Sequence, residues 1–168
     1  MRANLKDKYF PIIELGYGKS DTKGDETKIL YSTKAPYGRI GIDFNVMKNK
    51  HDIYRVFVGG RYGFSSFKYN IEAPGVVDPV FGGIAPFGAN NISGSYHWVE
   101  AVFGLDAHIV GPLRAGWSVR YKNRLAKKVG PIGEPYYVPG YGRGGSSTFG
   151  GTFYVAIELL NKTKKGKK

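Results

Sequence analysis

The chain has 168 residues, of which 25 are glycine and 15% are Phe, Trp or Tyr. Its length falls in the single-domain range, and a content of 42% apolar residues excludes a disordered chain. Cysteine is absent, which excludes disulfide frameworks, thiolate zinc sites and cysteine nucleophiles. The combination of glycine with aromatic residues favours β-structure.

The two ends of the chain are polar. The formal net charge is +12, and residues 161–168 hold five of the lysines, so we interpret this segment as a solvated basic tail. Residues 1–8 contain no apolar run and no small-residue cleavage site. We therefore predict an N-terminal lead without a secretory signal, followed by one domain over residues 9–160.

Alternation of apolar and polar residues with period two runs through six segments, which we predict to be β-strands. In the second segment, for example, Ile40, Ile42 and Phe44 alternate with Gly41 and Asp43. The six predicted strands are Tyr9–Tyr17, Tyr37–Val46, Tyr54–Ser65, Tyr96–Ile109, Leu113–Arg124 and Thr148–Leu159.

The predicted connections alternate between long and short, at about 19, 7, 30, 3 and 23 residues. Val110, Gly111 and Pro112 can form only a tight hairpin, which makes consecutive strands antiparallel in an up-and-down meander. The segments 73–95 and 129–147 are rich in Gly, Pro, Asn and Ser. Long external loops that alternate with short turns are typical of outer-membrane β-barrels.

The two basic residue types are distributed differently over the predicted strands. Six of the eight arginines lie on polar strand faces, whereas Lys122 is the one lysine among seventeen that does. Guanidinium groups suit enclosed ion pairs and ammonium groups suit water, so we predict that the polar faces form the barrel interior. The predicted interior ion-pair network comprises Glu14, Arg39, Asp43, Arg55, Arg61, Glu100, Asp106, Arg114, Arg120, Arg124 and Glu158.

The apolar faces carry aromatic residues near the strand ends, as expected of girdles at the two membrane interfaces. The predicted interface aromatics are Tyr17, Tyr54, Tyr62, Phe64, Trp117, Tyr121 and Phe149.

These faces predict an all-β fold, an up-and-down antiparallel meander that forms a small outer-membrane-type β-barrel over residues 9–160. The alternative is a soluble sandwich or lipocalin-like ligand-binding barrel, which would need an apolar interior and a polar outside. Single-chain bacterial barrels start at eight strands, and six are predicted here. We therefore expect eight strands in the full-length protein, with a signal peptide and a strand pair upstream of a late start at Met1.

Four segments carry a resemblance to a known family: Phe57–Phe67, Tyr96–Glu100, Gly116–Arg120 and Tyr137–Tyr141. Together they resemble a family of uncharacterised Bacteroidota outer-membrane β-barrel proteins, a domain of unknown function. The resemblance runs from Tyr9 onwards and implies fold and location. It lends no activity and no catalytic residues.

Motifs that suggest binding have simpler structural interpretations. Gly16–Ser20 ends like a phosphate-binding loop, but Ile13 stands where the first glycine belongs. Gly140–Gly145 resembles a glycine-rich nucleic-acid segment, yet it holds a single arginine, and we predict a flexible external loop. The three histidines lack metal-ligand spacing.

His97 carries the one catalytic alternative. Its parity places it on the lipid-facing side near Ser95, where some small outer-membrane barrels use Ser and His to modify lipid A. We expect instead an interfacial histidine beside the inward Trp98. Glu100 and Asp106 are six residues, about 20 Å, apart along one strand, so we expect them to pair with arginines of the next strand and not to act as a catalytic pair.

We therefore predict a non-enzymatic outer-membrane protein with a charged, side-chain-filled interior and long external loops. Its role would be structural, or that of an accessory component of the cell envelope. The expected partners are outer-membrane lipid and an envelope protein complex. No nucleic acid, cofactor or metal is expected.

Overall fold

The computed structural model describes residues 1–6, 8–23, 29–47, 53–77, 80, 82–131 and 134–158, with the backbone alone at 74, 76–77 and 84–87. Its eight β-strands are β1 Tyr9–Lys23, β2 Leu30–Asn45, β3 Tyr54–Val77, β4 Ile84–Val110, β5 Leu113–Lys128, β6 Tyr137–Val138, β7 Gly142–Arg143 and β8 Ser147–Ile157. None of the described residues belongs to a helix that could cross a membrane.

Six of the strands form one antiparallel sheet in the order β1-β2-β3-β4-β5-β8, and β6 pairs with β7 in a separate hairpin. The predicted all-β antiparallel meander is therefore confirmed. Between β4 and β5 only Gly111 and Pro112 remain, and Gly111 has a φ of 57°. Glycine adopts this left-handed conformation without steric cost, which allows the tight turn.

The connections lie alternately at the two ends of the sheet. Residues 24–29, 78–83 and 129–146 connect strands at one end, which we call the loop end. Residues 46–53 and 111–112 connect strands at the other, the turn end.

The sheet curls until its first and fifth strands meet across the interior. Arg120 on β5 lies 3.1 Å from the carboxylate of Glu14 on β1. Because β2, β3 and β4 separate these two strands in the sheet, this contact requires the sheet to close around its inward side chains. The fold is a curled, half-barrel sheet.

Part of the predicted N-terminal lead extends the sheet. Ala3 N–H donates to the Pro11 carbonyl and Leu5 N–H to the Tyr9 carbonyl, both at 2.9 Å. Residues 1–5 thus pair with the turn-end half of β1, and this pairing carries Arg2 towards the interior. The predicted basic tail, residues 161–168, lies outside the described residues.

The strands are longer than predicted, and the additional length lies at the loop end. β3 continues to Val77 and β4 begins at Ile84, so the prediction of a loop over 73–95 is wrong. β1 and β2 similarly extend to Lys23 and Leu30.

The physical reason is that apolar residues change faces within a continuous strand. On β3, Tyr62 and Phe64 are exposed outside, whereas Phe67, Tyr69 and Ile71 are buried inside. The inward positions keep the same parity throughout, because Ser65 is also buried. The apolar pattern, however, shifts by one residue at Ser65, which in the sequence looks like the end of a strand.

The segment 134–146 folds inward. We call β6, β7 and the intervening residues Pro139–Tyr141 the plug hairpin. Val138 and Tyr141 are fully buried, so the prediction of a flexible external loop at Gly140–Gly145 is wrong. The glycines and proline do form a turn, but the turn is stabilised by contacts with the interior of the sheet.

Two glycines of β3 test how tightly the interior is filled. A Cβ at Gly63 would overlap the Trp98 ring, whereas a Cβ at the outward Gly60 meets nothing within 4 Å. We expect Gly63→Ala to lower the free energy of unfolding by about 2 kcal/mol, as overpacking does in close-packed cores. Gly60→Ala is the matched control and should leave it unchanged or slightly raised. Guanidinium unfolding followed by tryptophan fluorescence measures both, and equal stability of the two variants would contradict this packing.

Candidate functional site

The outward side chains of the turn-end part of the sheet are apolar and exposed. We call this surface the apolar band. Its exposure is large in places, reaching 86% for Leu15 and 88% for Phe153. The band comprises Tyr9, Ile13, Leu15, Tyr17, Ile40, Phe44, Val46, Tyr54, Val58, Tyr62, Phe64, Val99, Phe103, Ile109, Val119, Tyr121, Phe149, Phe153, Val155 and Ile157.

The band has the dimensions of a membrane-spanning surface. On β4 it runs from Val99 to Ile109, about 11 residues, and tilted strands of 9–11 residues span a bilayer. It also slants across the sheet. Following the register across the sheet, Tyr9 on β1 is level with Gly151 on β8. The band ends at Tyr9 on β1, but on β8 it continues towards the turn end as far as Ile157. A stagger of this kind accompanies strand tilt in barrels.

The side chains enclosed by the apolar band are mostly charged, with Phe10, Ile12, Phe57 and Val102 buried among them. We call the charged side chains the charged interior. Glu14 is its central acceptor: its carboxylate lies 3.0 Å from Arg39, 2.6 Å from Arg61 and 3.1 Å from Arg120. Through these three arginines, one carboxylate on β1 joins β2, β3 and β5.

A second group of ion pairs lies nearer the turn end. Asp43 pairs with Arg61 at 2.9 Å, and Asp106 pairs with Arg114 at 2.6 Å. Tyr154 donates a hydrogen bond to Asp106 as well.

Arg2 lies between these two carboxylates, 3.1 Å from Asp106 and 3.6 Å from Asp43. Its guanidinium also stacks on the rings of Phe10 and Phe57. We did not predict Arg2 as a site residue, because strand periodicity begins only at Tyr9. A lone arginine ahead of a strand carries no signal in the sequence.

The remaining predicted network residues occupy separate positions. Glu100 forms an ion pair with Arg39 at 2.9 Å and accepts a hydrogen bond from the indole of Trp98 at 2.7 Å. Arg55 lies 3.4 Å from Glu158. The structure places Arg124 apart from these groups, at the loop end.

Arg124 pairs at the loop end with Glu134, at 3.1 Å, and Glu134 also contacts Lys127. The hydroxyl of Tyr96 donates to the same carboxylate. The sequence did not identify Glu134 as a partner, because it lies in a segment that has no strand periodicity.

The plug hairpin is attached to the charged interior through its backbone. The carbonyl of Gly140 accepts hydrogen bonds from Arg39 at 2.6 Å and Lys122 at 2.8 Å, and Lys122 also donates to the Tyr141 carbonyl. Lys122, the one lysine on a predicted inward strand face, therefore acts as an anchor for the hairpin.

At the loop end the interior is aromatic. We call this cluster the aromatic core; it consists of Ala35, Phe67, Tyr69, Ile71, Tyr96, Trp98, Val138 and Tyr141. Burial raises the pKa of Tyr69, Tyr96 and Tyr141, so these phenols stay neutral. Around the core the outward side chains are polar, for example Lys34 and Lys68.

The structure places all seven predicted interface aromatics on the outward face. Tyr17, Phe64 and Phe149 lie at the loop-end limit of the apolar band, and Tyr54 lies at its turn-end limit. Trp117 is partly buried in the middle of the band and packs edge-on against Phe103. Tyr121 lies at the same limit, opposite Phe149, and Tyr62 lies two positions inside it.

Other candidate sites do not assemble. His97 contacts Tyr62 and Phe64 on the outward face, and Glu100 and Asp106 are bound to different arginines. Gly16–Ser20 lies within β1. Within the described ranges, no three acidic or histidine side chains form a group that could hold a metal ion.

Glu14 offers a test of the charged interior. Glu14→Gln leaves three arginines around a neutral amide, and breaking an enclosed ion pair costs about 3 kcal/mol. We expect a loss of stability of this size in guanidinium unfolding. Asp21→Asn is the matched control, since Asp21 lies on the exposed face of the same strand and pairs with Lys19. It should unfold like the parent, and a similar loss in both variants would contradict the role of Glu14.

Comparison with known proteins gives the family. The family model of a domain of unknown function, DUF6048, matches residues 2–160, which include Arg2, the curled sheet and the plug hairpin. No curated protein and no solved structure shows significant similarity to the chain. The resemblance to a domain of unknown function is confirmed to that extent, while an outer-membrane family and a Bacteroidota origin stay predictions. The chain belongs to the DUF6048 family.

Proposed function

We propose that this protein is a small, non-enzymatic outer-membrane β-barrel protein with a structural or accessory role in the cell envelope. The resemblance of its sequence implies a Bacteroidota origin. The observation that carries the proposal is a reversal of polarity along single strands. Towards the turn end the sheet is apolar outside and charged inside; towards the loop end it is polar outside and aromatic inside.

Such a reversal fits a chain that passes from lipid into water. Apolar side chains are stable when they contact lipid or a packed core, and charged groups require enclosed partners if they face neither water nor headgroups. In the turn-end part, an outside that faces hydrocarbon satisfies both conditions. The loop-end part has the apolar core and polar surface of a domain in water.

The soluble alternative does not account for the same surfaces. A lipocalin-like barrel would carry its apolar side chains inside along its whole length. Here the enclosed positions between β1 and β5 hold Glu14, Arg61 and Arg120. An exposed apolar band of this extent would also be an aggregation hazard in water.

The filled interior supports a role other than transport. Ion pairs link the strands across the turn-end half, and the plug hairpin fills the loop-end half. Small barrels whose own side chains fill them leave no aqueous channel. Function then lies on the surfaces, in the loop-end extension and in lateral contacts with an envelope complex.

The distribution of charged groups also supports a non-enzymatic role. The carboxylates of the interior are ion-paired with guanidinium groups, an arrangement typical of structural ion pairs and not of a free general base. His97 is surrounded by Tyr62 and Phe64, as expected of an interfacial aromatic girdle.

A charge placed in the apolar band distinguishes lipid from water. Val58 on β3 is exposed outward near the middle of the band, and Ser66 is exposed on the same face of the same strand near its limit. We expect Val58→Arg to destabilise the vesicle-inserted protein by about 2–4 kcal/mol and Ser66→Arg by about 1 kcal/mol or less, because the penalty depends on depth in the bilayer. Unfolding from phospholipid vesicles measures both. In water an arginine at either exposed position is tolerated, so equal behaviour of the variants would overturn the membrane proposal.

Fractionation of cells that express the full natural gene provides the second test. We expect it in the outer-membrane fraction, with a gel mobility that changes on heating, as closed barrels show. A soluble product without such a shift would contradict the proposal.

His97→Ala should leave the lipid A profile unchanged in mass spectrometry, and an altered profile would indicate enzyme activity.

A further inference from the structure

Lysines line up across three neighbouring strands on the outward face. Lys19 on β1 pairs in register with Lys34 on β2, and Lys34 pairs with Lys68 on β3. Lys68 is opposite Ser93 on β4, and Lys128 on β5 is opposite Ser95. We call Lys19, Lys34, Lys68 and Lys128 the basic row.

The sheet places the positively charged side chains of the basic row next to one another on neighbouring strands. Directly opposed side chains on neighbouring strands lie about 5 Å apart at Cβ, and like charges in this position are destabilising. Among the described residues, Asp21 is the carboxylate that forms an ion pair with the row, and it pairs with Lys19 at 2.8 Å. The Lys19 ammonium and the Ser32 hydroxyl hold the pKa of Asp21 below its usual range. One carboxylate leaves most of the positive charge of the row uncompensated.

The row follows the loop-end limit of the apolar band. Lys19 comes two residues after Tyr17, and Lys68 comes four residues after Phe64 on the same face. At about 3.3 Å per residue, and with strands tilted, these ammonium groups lie within roughly 10 Å of the last apolar side chains. Lysine also extends its charge along a flexible apolar stem. This is the depth at which phosphate-bearing headgroups lie above hydrocarbon.

We propose that the basic row binds the phosphate groups of anionic membrane lipids on the loop-end side of the barrel. The proposal rests on the proposed membrane location and specifies the lipid that contacts this surface. Headgroup phosphates supply the negative charge that the row lacks, and Ser93 and Ser95 provide hydroxyl donors between Lys68 and Lys128. A preference for anionic lipid would fix the depth of the barrel and attract such lipids to β1–β5.

The test measures lipid retention by the intact protein in a neutral detergent. Phosphatidylglycerol or phosphatidylcholine is added, and bound lipid is counted by native mass spectrometry. We expect phosphatidylglycerol to be preferred. Lys34→Gln with Lys68→Gln should weaken its binding roughly 30-fold at low salt, since each lysine at an anionic surface contributes about a factor of five.

Lys6→Gln with Lys8→Gln removes the same net charge at the turn end and serves as the matched control. An equal loss in this control would overturn the proposal, because binding would then follow net charge alone. Binding of inorganic phosphate as tight as that of phosphatidylglycerol would overturn the lipid assignment. A protein that inserts into vesicles but retains both lipids equally would overturn the basic row and leave the barrel proposal intact. A protein that stays in solution without detergent would overturn both.

Discussion

The carboxylate of Glu14 imposes the constraint on which the sheet depends. It forms ion pairs with the guanidinium groups of Arg39 on β2, Arg61 on β3 and Arg120 on β5. These pairs can form together only if the sheet curls far enough to bring β1 close to β5. Enclosed ion pairs form at a large desolvation cost, so they are stable when geometry and further hydrogen bonds are favourable. Arginine suits this requirement because its planar fork serves several acceptors at once, as Arg61 does between Glu14 and Asp43. The curvature of the sheet therefore depends on the charged residues of its interior.

The charged interior in turn determines the surroundings that the outer face requires. In water, the hydrophobic effect would favour the reverse arrangement, with Leu15, Phe153 and Val155 inside and the arginines outside. Beyond the apolar band, the strands of β3 and β4 continue with the opposite arrangement, and Phe67, Tyr69 and Tyr96 pack inside. In the proposed membrane location, this pair of strands carries one surface suited to lipid and one suited to water. The basic row lies where one changes into the other.

Much of the turn-end half could be predicted from the sequence. The predicted starts of β1 at Tyr9, β3 at Tyr54 and β5 at Leu113 agree with the structure, because a clean alternation begins at each. The loop-end half could not be predicted in this way. There the apolar residues move to the other face while the strand continues, and a period-two analysis detects only the loss of the first pattern. Arg2 and the plug hairpin were missed for a different reason. Their positions depend on contacts with Asp43, Asp106 and Lys122, which are distant in sequence.

The plug hairpin joins the two halves and explains why neither is independent. The Gly140 carbonyl accepts from Arg39, and Arg39 also contacts Glu14 and Glu100. Two residues away, Val138 is buried in the aromatic core. Displacement of the hairpin would therefore remove an acceptor from the charged interior and packing from the aromatic core at the same time. Because an unsatisfied enclosed guanidinium is costly, the ionic half favours the closed hairpin, and so does the aromatic half. A curled sheet built in this way resists opening from the loop end.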